Sequence, residues 1–583
     1  MNIFQYVRDQ EFSYKNDTIE VVEGYSFSMY DTLRLVELYW ANKYKEKYVD
    51  PILGELPFDT IVKAPTLKEA EATDFDYSDV LLPPKKGVYE ARVKAMFQQK
   101  ATREYMDETN FSKFLNEFCL TRAKYGGVLT KDTKDGEKVV NWHNVIVDQT
   151  DIMSGVIIER HLYTPAELKA KAGTWENVDD ALALAEEVKE NRDDHDNESL
   201  GHFIEVYELH GELPMSLIEE DGNPHEFKRM MFVLAGVNDV DTDEDDNEIE
   251  NGIILYQSEE KKSPYRYLAR NPIAGRGLGV GVIEDLFEQQ KWHNFTLSEE
   301  LRIVTIAGKV FFETNNEKVP RNMKELDHMT VIRNSDDNEY FRQVNTAPAG
   351  LPSLQAIREN LDVSRRDITG MHEGVSGEQT KSNTPFRLAA LQSIEGHARY
   401  DKYREEIGIF LEELITEDVL PKALKAYRER DEIYTSFDTS ELALIDTAIT
   451  NTFIKDEILE GRVVSPMQIE DFKRELGRYG SKRYVTAIKD LLKDADASVR
   501  VITTNEKRNR SVFFETRVSL IQLLGVEHPY SQAMIRSIIT ESGITEDELQ
   551  LAIDQQIPAT GNPSQVQGEE LAKEEQSPVE QVA

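Results

Sequence analysis

One cysteine, Cys119, stands among 583 residues, which excludes an intrachain disulfide and any thiolate-only metal site. A reducing cytoplasm suits such a chain. No run approaches the ~20 consecutive apolar residues that a membrane span needs, so no membrane is expected among its partners. Residues 1–16, MNIFQYVRDQEFSYKN, lack the charged-then-apolar pattern of an export signal. Positive charge is also scarce, with 68 Lys and Arg against 108 Asp and Glu and a formal net charge of −40. Tight, sequence-independent binding to nucleic acid normally needs a basic face that neutralises phosphates and releases counterions. The chain as a whole opposes that. An acidic surface keeps a protein dispersed, and it also suits a conduit that must not hold a phosphate backbone.

Catalytic signatures are equally thin. There is no G-x-x-x-x-G-K-[ST] loop for nucleotide phosphates. Glycines 275, 277, 279 and 281 do not make G-x-G-x-x-G, because Val280 and Val282 occupy the third-glycine positions; they read as turn flexibility ahead of a packed helix. The eleven histidines contain no H-E-x-x-H pair. His202 and His210 share strand-like parity but read as surface or packing residues. No Ser-His-Asp set can be named from spacing. No catalytic residue, cofactor or structural zinc site is therefore expected.

The run DVDTDEDDNEIE is the one metal candidate. Counted from Asp239, oxygen-bearing side chains fall in EF-hand order, with Asp239, Asp241, Asp243 and Glu250 as candidate ligands. Glu244 stands where the sharp turn calls for Gly, and both flanks read as strands. An acidic tip on a β-hairpin is favoured, with a weak divalent site as the alternative.

Periodicity divides the chain into alternating blocks. Helices are expected over 30–46, 89–106 and 110–125, the last stopped by Gly126 and Gly127. The proline-punctuated stretch between the first two reads as loop. VLTKD, KVVNW and VIVDQ then read as a meander of strands, and FIEVYELHGEL, RMMFVLAG and GIILYQS as one sheet. A short helix begins at the Thr164–Pro165 cap.

The segment 275–313 is the most informative. A glycine-rich lead-in opens a helix of some twenty-five residues, which yields to short strands within 309–344. Ile283, Leu286, Leu297 and Leu301 share one helical stripe, and Gln290 and Asn294 set amides into it. Polar groups in a packing seam often fix register against a partner helix, here read as a second copy of the chain. A second helix follows at 354–369, then the polar loop GMHEGVSGEQTKSN. A long helix from Thr384 changes stripe near Gly396 and Gly408, so a kink is expected there. Beyond Pro421 come a strand, helices at 441–460, 466–478 and 482–493, a strand at 498–504, and further helices before a Pro-, Gln- and Glu-rich tail from Pro558.

The run YRYLARNPIAGRGLGVGVIEDLFEQQKWHN (265–294) resembles the stretch leading into the first stem helix of portal proteins of tailed double-stranded-DNA bacteriophages. The order that follows, a β-rich insert, a second helix, a loop and a kinked long helix, is similar too. The resemblance implies an α+β, helix-rich ring subunit. Residues 1–270 would be the N-terminal wing, 271–307 lead-in and first stem helix, 308–351 a β-containing clip, and 352–372 the second stem helix. The tunnel loop would be 373–383, the kinked tunnel helix and C-terminal wing 384–505, a small helical crown 506–557 and a disordered tail 558–583.

It further implies a non-enzymatic head-to-tail connector at the capsid portal vertex of a virion, assembled in the host cytoplasm as a ring of about twelve copies. Double-stranded DNA would pass through during packaging and ejection without its sequence being read. Terminase (the packaging ATPase), the major capsid protein and a head–tail adaptor would be its partners. Arg365, Arg366, Gly374, Ser376, Gly377 and Lys381 would lie near the channel, the arginines having helix-end charge complementation as their alternative role. Phe311, Val331 and Phe341 would belong to the clip, and Ile283, Leu286, Gln290, Asn294, Leu297 and Leu301 to stem packing. The rival readings are another neck or collar protein, or a divalent-metal hydrolase using 239–250.

The charge balance predicts weak affinity for free duplex DNA at physiological salt. Fluorescence anisotropy should give a Kd weaker than about 10 μM; tighter binding would contradict the charge argument.

Overall fold

Gly126 marks the change from helix to sheet. It caps its helix in the left-handed region (φ 89°), and its N–H donates to Arg122 O at 3.0 Å. The computed structural model describes residues 2–44, 49–50, 54–55, 58–75, 80–83, 89–183, 203–219, 222–242, 248–307, 310–314, 329–333, 341–344, 351–370, 386–430, 439–478 and 498–501, with single positions at 484, 489, 518 and 521. The chain divides into two units, Met1–Thr503 and Thr504–Ala583. The architecture below is that of the first unit. The expected crown, apart from Val518 and Ile521, and the expected tail lie outside the described residues.

Helix and strand are mixed throughout, as the α+β reading requires. Helices α1 (Ile3–Asn16), α2 (Met29–Trp40), α3 (Lys63–Thr73), α4 (Tyr89–Glu108) and α5 (Phe111–Tyr125) come first. Helix α3 lies inside the stretch read from sequence as loop. Its Pro65 falls in the first turn, where a missing N–H breaks no intrahelical bond.

Strands β1 (Gly127–Thr133) and β2 (Gly136–Val139) join β8 (Tyr265–Ala269) in an antiparallel sheet ordered β8-β1-β2. The expected meander breaks after β2. Trp142 is buried in a 3₁₀ turn and donates from Nε1 to Gly127 O at 3.0 Å, so the next strand leaves for a different sheet. That strand, β3 (Val145–Ile146), edges an antiparallel sheet with β4 (Ile157–Tyr163), β5 (Ile204–Pro214), β6 (Phe227–Thr242) and β7 (Glu248–Glu259), ordered β7-β6-β5-β4-β3. Alternation along β5 sends Tyr207 and Leu209 to the main core and Ile204 and Val206 to a satellite core with Leu168, Val178 and Leu255. Asp239 pairs with Asn251 and Asp241 with Ile249, so the two flanks of the acidic run are antiparallel strands. Asp243, one of the candidate ligands of the weak divalent site, lies with the rest of 243–247 outside the described residues.

After β8 the chain turns through the glycine run into α6 (Val282–Asp285) and α7 (Phe287–Ala307). One continuous helix was the expectation. The break falls at Leu286 (φ −105°), whose N–H reaches back to Ile283 O at 3.2 Å. Three short strands follow, β9 (Val310–Thr314), β10 (Met329–Arg333) and β11 (Phe341–Val344), in a sheet ordered β10-β9-β11. The β9–β10 pair is parallel and β9–β11 antiparallel. Helix α8 (Leu351–Thr369) then packs along α7 and reaches α6 at its far end.

Helix α9 (Phe386–Leu414) is followed by a π-helical turn at Ile415–Val419 and by α10 (Leu420–Glu429). The π turn lies beyond Gly396 and Gly408. Helix runs unbroken through both glycines, and Pro421, lacking an N–H and crowding the Glu417 carbonyl, widens the preceding turn instead. Helices α11 (Thr439–Leu459) and α12 (Pro466–Arg478) follow. Arg500–Val501 returns to pair with Val80–Leu81. The strand expected after Pro421 and the helix expected at 482–493, save Tyr484 and Lys489, lie outside the described residues.

The glycine run is built for close approach, not for flexibility. A Cβ on Gly279 would lie 2.1 Å from Arg270 O and 2.3 Å from Gly126 O, and one on Gly281 would lie 2.5 Å from Lys124 O. Gly279→Ala should therefore abolish soluble expression. Gly173→Ala, with open space around it, should express and melt like the parent.

Candidate functional site

Two arginines with almost no exposed surface hold the base of the α7–sheet–α8 excursion. Arg270, at the end of β8, makes a two-pronged pair with Glu69 of α3 (2.5 and 3.0 Å). Its Nη1 donates to Val280 O at 2.6 Å and to Asp285 Oδ2 at 3.0 Å. Arg276, inside the glycine run, pairs twice with Glu284 (2.6 and 2.7 Å) and donates to Tyr25 Oη, Leu278 O and Gly279 O. Its guanidinium also stacks 4.0 Å from the Phe27 ring centroid. Burial favours neutral guanidinium in both, but Glu69 and Glu284 respectively outweigh it and raise both pKa values. Helix α9 reaches the same place. Tyr403 lies between the guanidiniums of Arg122 and Arg270, with centroid distances of 5.3 and 5.2 Å, and donates to Asn271 Oδ1.

Above this base α7 grips the segment before α3. Ile61 N–H donates to Gln290 Oε1 at 2.9 Å, and Gln290 Nε2 donates to Asp59 O at 2.6 Å. Asp59 N–H donates to Asn294 Oδ1 at 3.2 Å, and His293 Nε2 lies 2.9 Å from Asp59 Oδ2. Tyr39 of α2 meets both Phe58 and Phe287 edge to face. The amides in the α7 stripe were expected to fix register against a second copy. Their partner is the chain's own backbone at 59–61, whose polar groups need satisfying on burial. Ile283 and Leu286 are buried with them, Leu297 is half-buried, and Leu301 is exposed.

Further along, Arg358 of α8 bridges to Glu300 of α7 at 2.8 Å. Tyr400 of α9 donates to Thr369 O at the end of α8. Arg365 and Arg366 both pair with Asp362 on their own helix, at 2.5 and 3.2 Å. Gly374, Ser376, Gly377 and Lys381 lie outside the described residues. Phe311 aligns with Thr330 and Val344, Val331 with Phe312, and Phe341 with Thr314. Trp292 and Phe295 on α7, 55 % exposed each, touch edge to face at 5.7 Å. Val304 on α7 and Ile357 and Val363 on α8 are also exposed.

Sequence reading missed Asp59, Glu69, Arg270 and Arg276. Only Arg270 and Arg276 carried a local signal, as cations before and within a glycine-rich turn. A scan of protein-family models and a search of curated proteins gave no match to this chain.

Replacing Gln290 and Asn294 by Leu should leave the buried Ile61 N–H unpaired at a cost of about 1–3 kcal/mol. Hydrogen exchange should quicken at residues 59–66 while the mass of any assembly stays unchanged. A changed subunit number would restore the inter-copy reading of these amides.

Proposed function

We propose that the chain is a portal-type ring subunit, in which α7 and α8 form the stem, β9–β11 the clip, and α9 the tunnel helix. The helix–sheet–helix excursion carries this reading. Two long helices pack side by side, the short helix α6 ahead of them is held by Arg270 and Arg276 through Asp285 and Glu284, and a small sheet lies between them in the chain. Such an element buries only part of its apolar surface within one chain. Trp292, Phe295, Val304, Ile357 and Val363 remain uncovered, and exposed apolar side chains gathered on one helix pair are the kind of surface that copies of a ring subunit cover in one another.

The charge of −40 supports the same reading. A ring of such subunits would repel the phosphates of a duplex threading its centre, giving passage without adhesion. The work of packaging would fall to a separate ATPase, and double-stranded DNA, terminase, the major capsid protein and a head–tail adaptor are the partners this role requires.

Electron microscopy and mass photometry of purified protein should reveal closed rings of about twelve copies. Trp292→Glu combined with Phe295→Glu should yield monomers with unchanged melting of the subunit. A wild-type chain that remains monomeric at micromolar concentration overturns the proposal.

A further inference from the structure

We propose that Glu159, His161 and Glu208 form a binding site for a divalent transition-metal ion of the Zn(II) or Co(II) kind, with Lys131 as the cation it displaces. The β4–β5 register sets Glu159 directly opposite Glu208, and His161 follows two residues on, on the same face. Like charges directly opposed across a sheet are destabilising, so this pair calls for a cation between them. The Lys131 ammonium, arriving from β1, lies 2.8 Å from Glu159 Oε2 and 2.5 Å from Glu208 Oε2. His161 Nε2 lies 3.1 Å from the same Glu208 oxygen and 3.7 Å from Glu159 Oε1. One donor atom from each of the three residues falls within 4.8 Å of the others, a separation that two metal–ligand bonds of about 2 Å each can span.

The surroundings are those of ligands held in place. The other Glu208 oxygen, Oε1, lies 2.9 Å from Nε2 of buried His210, whose Nδ1 meets Glu260 Oε1 at 2.8 Å. Tyr265 Oη donates to Glu159 Oε2 at 3.1 Å. Glu260 Oε2 is buried with no hydrogen-bond partner. Glu159 and Glu208 thus share Lys131 as their cation, and Glu208 and Glu260 share His210. Hydrogen bonds of this kind, His210 to Glu208 and Tyr265 to Glu159, fix the orientation of ligating carboxylates. A mixed imidazole and carboxylate set suits Zn(II) or Co(II) better than Ca(II) or Mg(II), which prefer oxygen alone.

Lys131 also ties the three-stranded sheet to the five-stranded one. Metal binding would exchange that tie for a chelate within the larger sheet. The site lies within one chain, so its test is independent of ring formation.

The full-length protein, stripped with chelator, should be titrated with Zn(II) by calorimetry and with Co(II) by visible absorption. The expected result is one ion per chain and a Co(II) d–d band. Affinity should fall about ten-fold or more in His161→Ala and Glu208→Gln. Lys131→Met, which removes the competing ammonium and leaves every ligand, should bind more tightly than wild type. Absence of saturable binding in both wild type and Lys131→Met overturns the proposal, as does binding undiminished by His161→Ala, which would mean adventitious surface metal only.

Discussion

The guanidinium of Arg270 is the point on which the described structure converges. It is buried, yet it touches α3 through Glu69, the glycine run through Val280 O, α6 through Asp285 and α9 through the Tyr403 ring. Removing charges from water costs several kcal/mol each, so although Glu69 outweighs the burial of Arg270 itself, desolvation of both partners offsets much of their attraction. The interaction therefore contributes less to net stability than to geometry. Four elements distant in sequence must meet at fixed angles, because any other arrangement leaves an uncompensated charge in the core. Gly279 and Gly281 make the meeting physically feasible by letting the connector backbone approach β8 and the end of α5 without intervening Cβ atoms.

What was legible in the sequence was local. Helices α5 and α12, the hairpin of β6 and β7, the short strands β9–β11 and helix α8 follow from periodicity and breakers within each segment. The Thr164–Pro165 cap reappears as a full capping box with Glu167. What escaped depended on long-range partners. Gln290 and Asn294 are visible as amides in an apolar stripe, but nothing local reveals that residues 59–61 are their partner. Helix α3 hid behind Pro65, and its Glu69 bonds to Arg270, 201 residues further along the chain. His210 was read as surface or packing because its neighbour was sought at His202, whereas its bonding partners are Glu208 and Glu260. The π turn at Ile415–Val419 was not anticipated, although Pro421 follows it closely. Helix-interior glycines lower stability only modestly, and tertiary packing of Tyr403, Ile407 and Phe410 overrides that cost, whereas a proline cannot be overridden.

The charge imbalance deepens when the partners of the basic residues are considered. Arg122, Lys124, Lys131, Arg266, Arg270, Arg276, Lys422 and Arg430 each engage carboxylates on other elements. Cations used to join elements are not free to meet a polyanion. The surface that remains is thus more acidic in effect than the ratio of residue types conveys, and screening at physiological salt limits its reach to about 8 Å. A polyanion farther away than that would scarcely sense the surface, whereas one pressed against it would be repelled.

The two faces of α7 divide its duties. Successive residues turn by about 100°, which sets Gln290 and Asn294 on one side of the helix and Trp292 and Phe295 on nearly the opposite side. The first pair is fully engaged with the chain's own backbone. The second is exposed but already held in mutual edge-to-face contact, so it would lose little side-chain freedom when covered. A neighbouring copy could therefore seat against Trp292 and Phe295 without disturbing the anchor at residues 59–61. That separation lets one helix be fixed to its own subunit and still present a preorganised apolar edge. A ring wall made of repeated helix pairs needs both properties, because a helix free at its base could not transmit a fixed angle to the next subunit, and one buried on every side could not meet it.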